Sequence, residues 1–412
     1  MSSTSETDPV ADSPTAWLRL ALCLVAATIG GVGLWSSVVV LPSIEVEFGI
    51  DRGGASFPYT ATMVGFAMGG ILMGRLFDRF GASVPVFISA IALGIGYALS
   101  SFATSFWQFV FCQAVLIGFL GSSATFTPMI ADISHWFVRR RGIAVAVVAS
   151  GSYMAGSIWP PVLQTIIVEH GWRDAHLFTA IFCAATLIPL SWLLRRRAVI
   201  DQGDAPVAAR ASRTGLPAPK PVLLALMMLA GLGCCIAMSM PQVHIIAYCV
   251  DLDYGPAVGA EMLSLMLILG VVSRLASGAI ADRIGGVGTL ILGSSLQCLA
   301  LIFYLPFDGL TSLYLVSALF GLSQGGIVPS YTLIIREYFP AREAGTLVAL
   351  VMTATILGMA VGGWISGEIY DATGSYAMAF LHGILWNLVN LGVAVWLLMS
   401  RRPGVGGTTA PA

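Results

Sequence analysis

The sequence predicts an all-α membrane protein of twelve transmembrane helices in two pseudo-symmetric six-helix bundles. Three observations predict it: a charge-poor composition, twelve apolar runs of spanning length, and one motif that stands in both halves. Of 412 residues, 57% are hydrophobic and only 10% charged, against about a quarter charged in soluble domains. So few charges cannot cover a water-facing surface, which excludes a cytosolic enzyme. A net charge of −1 offers nothing to nucleic acid. The partner composition implies is the lipid bilayer.

The apolar runs lie at roughly 17–42, 55–75, 83–104, 106–133, 141–168, 174–195, 221–249, 257–281, 287–306, 311–335, 344–368 and 376–399. Each is long enough to span as a helix, and none alternates as a barrel strand would. The polar, Arg- and Pro-containing stretch at 196–220 divides them six and six. The expected organisation is a tail at 1–16, a first bundle at 17–197, a central loop at 198–220, a second bundle at 221–400 and a tail at 401–412. Met1 to Ala16 lacks the basic start of a signal peptide, so the first run is expected to be retained. Seven cysteines fall in or beside apolar runs without a C-x-x-C pair and read as packing residues. Neither a metal nor a cofactor is expected.

Basic residues set the orientation. Seventeen of 20 fall on one side if both termini share it, including Arg19, Arg75, Arg79, Arg139–Arg141, Arg195–Arg197 and Arg283. Arg52 and Arg173 fall on the other side, and Arg274 lies within a run. By the positive-inside rule both termini are cytoplasmic, in a bacterial inner membrane.

Gly74-Arg75-Leu76-Phe77-Asp78-Arg79-Phe80-Gly81 follows the second run, and Gly278-Ala279-Ile280-Ala281-Asp282-Arg283-Ile284-Gly285 follows the eighth, 204 residues later. Both read G-x-x-x-D-R-x-G after the second span of a half, the mark of a duplicated six-helix unit. Gly74 and Gly278 suit close helix approach. Asp78 and Asp282 suit a helix N-terminus. Arg79 or Arg75 is expected to pair with Asp132, and Arg283 with Glu337 or Glu343, latching the cytoplasmic face. The plainer reading is a tight turn whose arginines follow the positive-inside rule.

This motif resembles the signature of the major facilitator superfamily, and the likeness covers the whole chain. Further stretches resemble its monocarboxylate-carrier and oxalate/formate-antiporter branch. They are His135-Trp136-Phe137 with Arg139-Arg140-Arg141-Gly142, Gly151 to Pro160-Pro161, Gly171-Trp172-Arg173, Pro241-Gln242-Val243-His244, and Tyr370-Asp371-Ala372-Thr373-Gly374-Ser375-Tyr376. The resemblance implies alternating access of two bundles, with the fourth and tenth spans facing a central cavity.

Arg274 stands eight residues before Asp282, about 12 Å into the membrane from that turn and so near the midplane. Its counterpart in the first repeat is Gly70, so the fold itself does not demand a cation there. Arginine keeps its charge, and no acidic residue lies at that depth. A substrate carboxylate is the partner that its fork fits; the alternative is an arginine bonded to backbone carbonyls. The resemblance agrees, since monocarboxylate carriers hold substrate with an arginine in span 8. The chain also departs from them: Gly270 stands where animal carriers have an aspartate, and the sole lysine, Lys220, lies in the central loop. A single cation favours a monocarboxylate over a dicarboxylate.

Tyr331 and Gln324 in the tenth span lead the remaining substrate-binding candidates. Ser122, Phe126, Tyr153 and Asn387 follow, with Trp35, Ser36 and Ser37 in the first span. His244 is the candidate for proton coupling because its ordinary pKa lies near working pH. The functional expectation is a secondary transporter of a small lactate- or pyruvate-like monocarboxylate, acting as a monomer. Another organic anion, such as an aromatic acid or oxalate/formate, and a non-transporting sensor stay open as alternatives. No catalytic constellation and no G-x-x-x-x-G-K-[ST] loop is present, so neither an enzyme nor an ATP-driven pump is expected.

Overall fold

The computed structural model describes residues 12–137, 139–196, 218–339 and 341–400. Residues 1–11 of the expected first tail, the expected last tail and most of the central loop, with Arg210, Arg213, Arg401 and Arg402, lie outside the described residues, and α1 begins at Pro14, inside the expected tail.

Among the described residues, twelve long helices run in alternating directions. They are α1 (Pro14–Val39), α2 (Arg52–Phe80), α3 (Ser83–Ser101), α4 (Phe106–Trp136), α5 (Gly142–His170), α6 (Trp172–Leu193) and α7 (Lys220–Asp251). The run Pro256–Phe303 is α8 and α9, parted at Gly285. Then come α10 (Leu310–Tyr338), α11 (Ala341–Thr373) and α12 (Tyr376–Met399). Local chemistry sets the starts. Ser13 Oγ accepts from the Ala16 amide, with Pro14 in the first turn of α1. Asp51 Oδ1 accepts from Gly54 N at 2.8 Å and opens α2. The short helix Leu41–Phe48 caps the bundle between α1 and α2.

The duplication reaches the backbone. Gly81 (φ 78°, ψ −175°) and Gly285 (φ 75°, ψ 172°) close the two copies of the motif in one conformation, a region only glycine enters cheaply. The repeat-related helices α4 and α10 are both broken mid-span. α4 loosens to a π-helix over Cys112–Gly121 and tightens to a 3₁₀ turn over Ser122–Thr125. α10 is interrupted between Gln324 and Ile327.

Two antiparallel seams join the halves. In one, α2 lies on α11, and Thr60 Oγ1 donates to Ala360 O at 2.7 Å. In the other, α5 lies on α8, and Ser264 Oγ donates to Ser157 O. We call the side of Pro14 the terminal face and the side of Asp51 the far face. The seams are tight toward the far face, where a Cβ at Gly367 would fall 2.8 Å from Gly53 Cα. Toward the terminal face, a Cβ at Gly74, Gly278, Gly142 or Gly345 would meet nothing within 4 Å. The halves are thus closed at the far face and parted at the terminal face.

Candidate functional site

Arg274 projects from α8 into the α5 seam, half-buried. Its Nη1 donates to Ala149 O at 2.7 Å, just where α5 is interrupted at Ser150. The Tyr153 ring, also on α5, covers one face of the guanidinium at 4.2 Å from Cζ, a cation–π contact. Beneath both lies Gly270, where a Cβ would stand 3.1 Å from Gln324 Nε2 and 3.2 Å from the Tyr153 ring. That absent side chain lets Tyr153 cross from one half to the other. The break in α10 packs Gly325 on the α8 backbone between Gly270 and Arg274 and so delivers Gln324 to the same place. Gln324 donates to Met266 O at 3.1 Å and accepts from Gln242 of α7.

Arg274 has no carboxylate partner among the described residues. Its Nε is buried without an acceptor; such a donor costs about 1–3 kcal/mol. With Nη1 held by Ala149 and one face under Tyr153, it is Nε, on the side-on Nε/Nη2 edge, that is left without an acceptor among the described residues. That edge has the geometry of a bidentate carboxylate site.

Of the expected substrate-binding residues, the structure brings together Arg274, Tyr153 and Gln324. Tyr331 and Asn387 are corrections. Tyr331 is fully buried and donates to Asn390 Oδ1 at 2.8 Å, while Asn387 donates to Ser294 O at 2.8 Å. Both tie α12 into its own bundle, because their polar ends find partners on neighbouring helices. Ser122 is packed against Gly33 of α1, its Oγ buried without a partner among the described residues. Phe126 packs on Phe66 with the rings tilted and their centroids 5.7 Å apart. Gln242 and the spacing role of Gly270 were missed; the signal was Pro241-Gln242-Val243-His244, noted only as a resemblance.

The expected ion pairs at the terminal face are also corrected. Asp132 is held by Arg19 of α1, at 2.7 Å from Nε and 3.0 Å from Nη2, and Arg19 Nη2 donates further to Leu194 O at 3.0 Å. α1 packs directly on α4 inside one half, so its arginine reaches Asp132 where the exposed end of α2 does not. Glu343 pairs with Lys220 at 3.1 Å instead of Arg283. Asp78, Asp282 and Arg283 are exposed.

A lock between the halves stands on the far face instead. Arg52, nine-tenths buried at the start of α2, donates from Nη2 and Nη1 to the two Asp251 oxygens of α7 at 3.1 and 3.3 Å. Its Nη1 also donates to Tyr376 Oη at 2.8 Å, and Tyr370 faces the guanidinium at 4.7 Å. Asp371 of α11 accepts from the Arg52 and Gly53 amides at 3.0 and 2.6 Å. This is the helix-start chemistry expected of Asp78, carried out by a different aspartate at the opposite face. His244, the expected proton carrier, stands behind it fully buried. Its Nε2 is 2.7 Å from Gly363 O and its Nδ1 3.1 Å from Tyr376 Oη. A carbonyl only accepts, so Nε2 carries the proton and Nδ1 accepts from Tyr376. Two sequence signals pointed here without being joined: Arg52 as a cation off the basic side, and the stretch Tyr370 to Tyr376.

Residues 23–313 and 288–411 match the sequence profile of the Major Facilitator Superfamily. Monocarboxylate transporter 13 of Bos taurus is 28% identical over 330 residues, 78% of this chain and 75% of that protein. The Agnestins efflux protein AgnL12 of Paecilomyces divaricatus is 24% identical over 393 residues, 93% and 87% of the two chains. The crystal structure of a point mutant of the nucleoside transporter NupG shares the fold with a TM-score of 0.70 at 13% identity, covering 92% of this chain and 99% of that one.

Proposed function

Because the chain belongs to the major facilitator superfamily, and is thus a multi-pass membrane transporter, we propose that its cargo is a small organic monocarboxylate moved by alternating access. The observation that carries this reading is Arg274: a permanent cation between the halves, without a carboxylate partner among the described residues and with its Nε left without an acceptor there. The likeness to a monocarboxylate transporter supports it. One cation rather than two favours one carboxylate over two. Gln324 and Gln242 are placed to orient a keto or hydroxy oxygen beside it. With both termini cytoplasmic in a bacterial inner membrane, as the basic asymmetry favours, the closed far face makes this the inward-facing state of a monomer.

A second reading, efflux of a larger organic anion, is favoured by the likeness to AgnL12 over nearly the whole chain. Both are tested in proteoliposomes with a panel of labelled lactate-like, aromatic and dicarboxylic acids. Arg274→Gln removes a charge-assisted contact of about 1.5–3 kcal/mol, so affinity falls roughly 10- to 150-fold with thermal stability retained. Arg274→Lys rescues poorly, because an ammonium lacks the planar fork. Near-normal carboxylate uptake by Arg274→Gln sinks the monocarboxylate reading, and preference for the large acids selects the second.

A further inference from the structure

The far-face lock carries more negative charge than it can neutralise. Three carboxylates converge on Arg52: Glu45 from the short helix, Asp251 from α7 and Asp371 from α11. Against them stand one guanidinium and the start of α2, equivalent to roughly half a positive charge. Exposed Asp51 and Glu368 flank the cluster. The remaining titratable neighbours are Tyr370 and Tyr376, with His244 behind Tyr376. Glu47, on the same short helix as Glu45, is engaged within its own half by Arg173 and Trp172.

The three carboxylates are not served equally. Asp251 takes two guanidinium N–H groups, and Asp371 takes two amides at the helix start. Glu45 has the 2.8 Å approach of Arg52 Nε, off the line of the N–H bond. Its side chain is only 26% exposed. Two further anions across the seam, Asp251 and Asp371, oppose its charge in this closed arrangement.

We propose that the far-face lock holds a proton: Glu45 is protonated while the halves are closed over Arg52 and releases the proton when they part. This gives alternating access a proton-binding site that faces the outside whenever the far face opens. The inference rests on the alternating-access reading, but not on the identity of the cargo. Burial does push the Glu45 carboxyl above its ordinary range, against the pull of Arg52. Since the closed state has the raised value, the lock is fully favoured at low pH and weakens as pH rises through that value. His244 is no rival in this state, because its neutral form satisfies both Tyr376 and Gly363.

The test uses the full chain in nanodiscs without cargo, with spin labels on Val46→Cys and Ala257→Cys, exposed positions in opposite halves. The seven native cysteines are buried. Inter-label distances are read from about pH 5 to about pH 9. The closed-to-open ratio is expected to fall with rising pH by at most about tenfold per unit, the one-proton limit. Glu45→Gln should stay closed with a flat profile, His244→Gln should keep the slope, and Asp251→Asn should open the far face at every pH. A flat profile in the unmutated chain overturns the proposal. So does a slope that survives Glu45→Gln or disappears with His244→Gln. A far face that stays closed in every variant at every pH removes alternating access and the proton lock together, whereas an unmutated chain that opens without dependence on pH removes the proton alone.

Discussion

Arg19, Arg52 and Arg274 are drawn in among the helices, and what each faces sets its work. Arg19 meets Asp132 with both side chains under a tenth exposed. Such a pair contributes little net stability but is costly to break from one side. Asp132→Asn should therefore lower stability by about 3–5 kcal/mol, and the Arg19→Met/Asp132→Leu double change should cost less than that. Thermal melting of the purified variants checks both, and a harmless single change would mean that water reaches the pair. Arg274 has a carbonyl and an aromatic face, but no anion among the described residues. An aspartate placed one turn before it on α8 tests that arrangement. Gly270→Asp presses on Tyr153 and Gln324 and offers Arg274 a carboxylate from its own helix. Carboxylate affinity should fall about tenfold or more, the loss of one charge-assisted contact of about 1.5–3 kcal/mol. Equilibrium binding with an unchanged constant would show that this edge of Arg274 does not meet the cargo.

The helices that reach Arg274 owe their shape to interruption. α5 pauses at Ser150 and puts Ala149 O within its reach, and α10 breaks at Gly325 to lay Gln324 against α8. Polar backbone freed inside a membrane is tolerated where protein or water-filled space surrounds it, which is why such breaks fall beside a site. The motif glycines act at the other end of the helices. Gly74 and Gly278 meet nothing here, so a larger side chain is harmless in this state and obstructs the opposite one. Gly74→Leu should fold and bind cargo from the terminal side, yet lose transport by at least about tenfold, since cycling rather than binding is blocked. Parallel uptake and binding measurements decide it; normal uptake would mean that α2 is never approached at Gly74.

Across the whole molecule the two faces are built from different forces. The far face closes through a buried guanidinium and a helix start of one half, which meet Asp251 and Asp371 of the other, with Glu45 beside them. The terminal face is parted, and its motif aspartates are exposed. If the termini are cytoplasmic, an impermeant maleimide added to intact cells labels Val46→Cys at the far face and spares Ile143→Cys at the terminal face, both at exposed positions. The reverse pattern would invert the orientation.

Composition and periodicity alone determined that this chain crosses a membrane as twelve helices, because burial in lipid is demanded run by run and leaves its mark on consecutive residues. The duplication was equally legible, since the glycine that closes each motif copy needs a backbone angle other residues avoid. Arg274 stood out for the same reason: a cation deep in an apolar run is a local anomaly. What the tertiary structure decided is which polar groups meet. Asp132 took Arg19 rather than Arg79, Tyr331 and Asn387 turned to their own bundle, and Arg52 found Asp251 and Asp371 roughly 200 and 320 positions away. A side chain's type declares what partner it needs. Which partner it gets depends on helix rotation and on the state of the two halves, and those are set by packing between segments distant in the chain.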